Sequence, residues 1–423
     1  MKKLRLGLLS AKMALSVGLA VLASMAAVPR GRCDASGTVV RSIFINRNGK
    51  ADFKSVQKAV ASVPFGNDQW IRVHVAAGVY NEKVMIPQNK SFILLEGEGR
   101  DQTSIEWADH AGEDMTTAAT PTFAAYSTDF MARDITFKNT YDDYGDGRMV
   151  PAVAALVSGD RSAFYRCSFV GVQDTLSDMD GRHYYESLCF TDTRYGYGDT
   201  PIRQIFKNKD TPIRLGYKAE GQSINAEIHS PSAIITSNSG SSKVRLAACR
   251  MPTPSNVSKP SPPTSHIWDG PSCYIEGAMD FIFGNGRTIF QGCELWTGPT
   301  PVSPGFITAQ GWQSAADTSG FVFKGCTVRG VTPAYLGRAW RGYARVIFYE
   351  TDMSGVVVSR GWDAWNYKGS EHTLTMVEAR CTGQGSNRTG RVPWAKGLSG
   401  GELAKFVDLS YVSGDGWLEA QPR

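Results

Sequence analysis

The segment Ile71-Arg72-Val73-His74-Val75 alternates apolar and polar side chains with a period of two, the mark of a strand with one buried face. Short runs of this kind, rich in Val, Ile, Phe and Thr and bounded by Gly, Asn and Asp, recur along most of the chain. They carry a repeating signature: Ile289-Phe290-Gln291-Gly292-Cys293-Glu294-Leu295 and Val322-Phe323-Lys324-Gly325-Cys326-Thr327-Val328 are two copies. Weaker versions lie at Asp134 to Phe137, Val346 to Met353 and Val377 to Cys381. A period of roughly 20 to 33 residues in β-rich units predicts a solenoid whose units bury a shared core only by stacking. A parallel β-helix supplies each strand with a partner above and below; a β-sandwich is the alternative left open by periodicity alone. The Leu and Asn ladder of a leucine-rich repeat is absent.

Two further copies place an aspartate at the same point. Cys167-Ser-Phe-Val-Gly-Val-Gln173-Asp174 matches Cys273-Tyr-Ile-Glu-Gly-Ala-Met279-Asp280 in spacing. Between them the repeats stop from about Leu188 to Ser272, where Ser, Pro, Thr and Lys accumulate. Setting 188–272 aside shortens the Asp174 to Asp280 separation from 106 to 21 residues, about one turn of a β-helix. The segment therefore reads as an atypical insert, either a regulatory or binding loop or a stretch of translated intron, and a structureless loop of that length is unusual in a compact domain.

The chain ends divide in the same way. Lys2, Lys3 and Arg5 precede the mostly apolar stretch Leu6 to Ala27, with small residues at Ser24 and Ala26. Residues 1–28 read as a secretory signal peptide, leaving 29–423 as one β-helical domain interrupted at 188–272. An uncleaved anchor fits less well because Lys12 interrupts the apolar run. Export would open the sequons at Asn89, Asn256 and Asn387 to glycosylation. Eight cysteines allow either disulfides or a stacked ladder of free thiols. A net charge of +5 favours an acidic polymer as partner, while no basic run interleaved with aromatics points to nucleic acid.

Four blocks in order carry a family resemblance: Gly78-Val79-Tyr80-x-Glu82, Gly171-x-Gln173-Asp174-Thr175-Leu176, Asp280-Phe281-Ile282-Phe283-Gly284 and Leu336-Gly337-Arg338-Ala339-Trp340. Together with Gly361-Trp362-x-x-Trp365 they resemble the pectin methylesterases, from about Val39 to Ser187 and again from Cys273 to about Phe406. The resemblance implies a right-handed parallel β-helix, a secreted monomer of the plant cell wall, and hydrolysis of methyl esters on the galacturonate units of pectin. It implies pectin as partner and leaves room for a proteinaceous inhibitor. Neither a cofactor nor a membrane partner is expected, and the six histidines show no metal-ligand spacing. No long inhibitor-like pro-region precedes Val39, as in the short plant form.

Ester hydrolysis needs a nucleophile, a proton donor for the departing methanol and donors for the oxyanion. Two neighbouring carboxylates resist ionising together, so stacked Asp174 and Asp280 can divide the first two tasks. The resemblance pairs Arg338 with Asp280, which makes Asp280 the nucleophile and Asp174 the general acid and then base, with Gln173 donating to the oxyanion. It also places Trp340, Phe283 and Trp362 as walls for the sugar ring.

Three positions depart from the family pattern, of which the one at residue 339 should matter little. Pro151 stands before Ala152-Val153-Ala154 where the family has a glutamine that donates to the oxyanion, and losing such a donor costs on the order of 100-fold in rate. Ala339 replaces a proline, and Ser177 replaces an aromatic. The alternative to an active esterase is therefore a weakly active or inactive pectin-binding wall protein, or an isoform that does not fold because of Pro151 and the insert. A polysaccharide lyase or polygalacturonase is weaker still, lacking calcium-binding acidic clusters and the matching acid pair.

Overall fold

The computed structural model describes residues 37–141, 149–186 and 272–422, together with the backbone of the strands Ile213–Ala219 and Gln222–Ile228. The expected signal peptide at 1–28 and most of the expected insert lie outside the described residues.

The period-two runs become strands that pair in parallel with the coil before and the coil after. Among the described residues this gives three parallel sheets, one of ten strands and two of eight. The ten-stranded sheet runs from Arg41–Ile45 to Thr375–Ala379, and a second from Gly78–Asn81 to Asp352–Met353. The third, from Val84–Ile86 to Trp362–Asp363, carries the site described below. The architecture is a right-handed parallel β-helix.

Register explains the repeated Phe and Cys. Phe164, Tyr185, Phe290, Phe323 and Phe348 point inward on successive coils and stack at centroid separations of 4.9, 4.7, 4.6 and 4.5 Å, close to the spacing of neighbouring strands. At the next corner Cys167, Cys273, Cys293 and Cys326 are buried free thiols, Thr351 takes the following rung, and Cys381 continues the line. The stacked ladder, rather than disulfides, is the outcome at these positions. Five of these six rungs turn the corner on one residue with positive φ: Arg166, Gly292, Gly325, Glu350 and Arg380 hold φ between 51° and 65°. Glycine adopts that conformation freely, and the side chains at the other three positions accept it because the stacked rungs on either side fix the turn.

Helical segments cover the first coils and one outer face of the solenoid. Helix Val56–Ser62 buries Val56, Ala59 and Val60 against the first coils, and Glu82 accepts from the N–H groups of Val56 and Gln57 at its N-terminus. Helix Gly400–Val407, started by a Ser399–Glu402 capping box, leads into Tyr411, Val412 and Trp417. These residues cover an outward apolar stripe of the ten-stranded sheet that includes Leu94, Met131, Tyr184 and Ile289.

The solenoid continues across the expected insert. Ser168–Val170 pairs directly with the strand that opens at Tyr274, and Cys273 Sγ lies 3.4 Å from the Glu186 carbonyl. The strands Ile213–Ala219 and Gln222–Ile228 pair antiparallel with each other in a separate two-stranded sheet. The solenoid repeat predicts no strand in this segment, although Ile213-Arg-Leu215-Gly-Tyr217 alternates as a strand does.

Candidate active site

Asp174 and Asp280 occupy equivalent turns on adjacent coils. Each lies two residues before a strand of the site-bearing sheet, and Leu176 pairs with Ile282 across the rung. Gln173 bridges Met279, and the Asp174 N–H donates to the Met279 carbonyl at 3.0 Å. Both aspartates have positive φ, 61° and 47°, which turns the chain sharply at this point in each copy. Asp and Asn tolerate this region better than most side chains.

The neighbouring strands add the remaining groups by register. Leu156, Ser177, Phe283, Ala309 and Arg338 pair in one row across five coils. These five line a cleft of about 500 Å³ with Gln173, Asp174, Asp280, Met179, Trp340, Trp365 and the Thr117–Ala118 rim. Phe283 and Trp340 meet edge to face at 6.0 Å. Gln173 is half-buried, and its amide side chain makes no hydrogen bond to another described residue. Among the described residues no cluster of His, Cys, Asp or Glu could hold a metal.

The two carboxyls differ in their partners. Arg338 grips Asp280 with both prongs of its guanidinium: Nε donates to Oδ1 at 2.8 Å, and Nη2 donates to Oδ2. Asp174 has no such partner. Burial, and secondarily the charge of Asp280, pushes the Asp174 carboxyl up to about 8. Burial also raises Asp280, but the Arg338 bond and charge oppose that rise, so Asp280 is the first of the two to ionise.

Trp362 is a correction. Its register partner is Gly337, in the inward row, so the indole is fully buried in the core, 6.0 Å from Phe348. Its Nε1–H donates to Glu378, which is paired with Arg391. The next residue, Asp363, falls in the outward row beside Arg338. The aromatic that reaches the cleft is Trp365, from the same block but not selected from sequence. Phe306, outside the cleft but with its ring 4.4 Å from the Arg338 guanidinium carbon, was also missed, and no local motif marks it. Pro151 does not line the cleft; its carbonyl accepts from Ala111 N–H at 2.8 Å, and Gln173 is the cleft's one amide side chain among the described residues.

The pectinesterase family model matches residues 42–250 and 271–415, its first block running past Glu186 into the segment set aside from sequence. Probable pectinesterase 29 of Arabidopsis thaliana is 34% identical over 394 residues, covering 91% of each chain. Probable pectinesterase 55 of the same plant is 35% identical over 388 residues, covering 90% of this chain and 91% of its own. Among solved structures, the pectin methylesterase from carrot superposes with a TM-score of 0.65 at 26% identity, covering 91% of this chain and 97% of that one. With the four ordered blocks, the coil geometry and these matches in agreement, the chain belongs to the pectinesterase family.

Proposed function

We propose that Asp280 is the nucleophile and Asp174 the general acid and base in the reaction of this family, hydrolysis of the methyl esters on pectin galacturonate. Asp280, held ionised by Arg338, attacks the ester carbonyl. Gln173 donates its side-chain N–H to the oxyanion, and Asp174 gives its proton to the departing methanol. Asp174 then takes a proton from the water that hydrolyses the acyl-enzyme, and Asp280 leaves as carboxylate. Phe283, Trp340 and Trp365 offer faces and edges to the sugar ring.

The observation that carries this reading is the asymmetry of the pair, Asp280 gripped by Arg338 and Asp174 without a cation of its own. The test is methanol release from highly methylated pectin by purified protein, followed against pH. Activity should fall on the alkaline side as Asp174 loses its proton, with a midpoint near 8. A rate that stays level through pH 9.5 would remove Asp174 from the acid role.

Location follows from the same reading. We propose that residues 1–28 direct secretion to the cell wall, where the chain acts as a monomer on pectin. Asn89 and Asn387 are exposed and open to glycosylation. Among the described residues no helix is long and apolar enough to cross a membrane.

A further inference from the structure

Arg338 is constrained beyond its bond to Asp280. Its guanidinium carbon lies 4.4 Å from the ring centre of Phe306 and 3.8 Å from that of Trp365. Phe306 belongs to the strand on the preceding coil and Trp365 follows the strand on the next, so the guanidinium sits between two aromatic rings. Each ring has its own support. Phe306 stacks on Tyr335 at 5.0 Å with the planes 11° apart. The backbone N–H of Trp365 donates to Asp363 Oδ1 at 2.6 Å, which fixes the turn that carries the indole, and Asp363 is the register partner of Arg338.

Trp365 also has φ 49°, a conformation costly for a bulky side chain. Such strain persists only where the surroundings enforce it, and it clusters at functional sites. Here the turn sets the indole against the one cation that, among the described residues, bonds the buried Asp280 carboxylate.

We propose that Phe306 and Trp365 are positioning residues for the esterase reaction, fixing the plane of the Arg338 guanidinium so that both prongs stay on Asp280. The physical reason lies in the geometry of the bond. A two-pronged arginine–carboxylate contact needs the two groups coplanar, whereas the arginine stem has several rotatable bonds. Aromatic faces attract a guanidinium and restrict its tilt, most strongly where water is excluded. A loosened Arg338 would let the Asp280 carboxylate turn away from the ester carbonyl, and small misplacements of a reacting group are costly in rate. The inference rests on the reading of Asp280 as nucleophile.

The charged groups around this carboxylate are Asp174 and Arg338, with Asp363 beside Arg338. Arg338 opposes the effect of burial on Asp280. A weaker grip therefore raises the carboxyl further, and activity on the acidic side is lost at higher pH.

Phe306 does not line the cleft, so Phe306→Leu separates positioning from sugar contact. Kinetic constants for methanol release from methylated pectin should be recorded from about pH 4 to 9, with melting curves, for Phe306→Leu, Trp365→Leu and Trp365→Phe. Phe306→Leu should lower kcat about tenfold, change KM by less than about twofold, and move the acid limb upward. Trp365→Leu should move the limb the same way, and Trp365→Phe, which keeps a ring, should restore most of the rate. A carbon-13 NMR titration of the Asp280 carboxyl reads the same grip without turnover and should show a higher midpoint in both leucine variants. An unmoved acid limb and an unmoved carboxyl midpoint in a folded Phe306→Leu protein would overturn the proposal. A moved midpoint in a protein that releases no methanol would support the clamp and overturn the esterase assignment instead.

Discussion

Replacing Asp174 by Asn should destroy turnover and make the protein more stable, in a way that depends on pH. The cleft holds this carboxyl at about 8 against an ordinary 3.8, because burial and the Asp280 charge disfavour its ionised form. The sign follows from linkage. Below about pH 4 the group is protonated whether the chain is folded or not, and contributes nothing. As pH rises toward 8 the unfolded chain gains a free carboxylate that the folded chain resists forming, so the native state loses stability over this window. At pH 7, about 3 units above the ordinary value, a fully desolvated group would cost ~4 kcal/mol at 1.36 kcal/mol per unit. Asp174 is only partly buried and faces a cleft open to water, so about 1–3 kcal/mol is expected. Asn keeps the shape and carries no titrating proton. Thermal melts of both proteins should therefore coincide near pH 4 and separate by about 2–4 °C in favour of the variant near pH 7.5. A variant less stable than wild type at pH 7.5, or an offset that does not change with pH, would refute the reasoning.

Other perturbations separate the parts of the account. Pro151 lies outside the cleft but adjoins Ala152, whose N–H donates to the Gln173 carbonyl at 3.1 Å, so the longer side chain of Pro151→Gln should reach toward the oxyanion and raise kcat several-fold; no change in a protein that melts normally would mean that Gln173 and backbone amides suffice. Trp362→Ala should cost about 3–5 kcal/mol in stability because it empties a core position and strips Glu378 of a donor, and KM measured on the folded fraction should stay put. Joining Ser187 directly to Cys273 should preserve both folding and methanol release, since Glu186 and Cys273 already meet; loss of soluble protein would show that the segment belongs to the fold.

The repeat was legible because a solenoid writes its contacts into the sequence at a fixed period. The inward Phe and Cys of each coil meet the same residue types one coil away, so a local pattern reports a long-range contact. Asp174 and Asp280 were legible for the same reason: they stand at equivalent points of two copies, whereas Gln173, opposite Met279, was marked only by the family resemblance. Trp362 was misplaced because block spacing alone does not fix which face of a two-residue strand points inward, and a one-residue change of parity exchanges core for cleft. Phe306 and Trp365 could not be linked to Arg338 from sequence, since their contact depends on the coils before and after it. Glu82 had the opposite fate. It lies in a block shared with the family, yet its carboxylate caps the first helix, away from the cleft.

The most direct test of the central claim is methanol release from highly methylated pectin by wild type and by Asp280→Asn, with pectin binding measured on both. The neutral amide keeps the size of the side chain but cannot attack a carbonyl or form the charged bond to Arg338. The account predicts steady release by wild type and a fall of about 1,000-fold or more in the variant, with binding retained. Near-normal release by folded Asp280→Asn would contradict it.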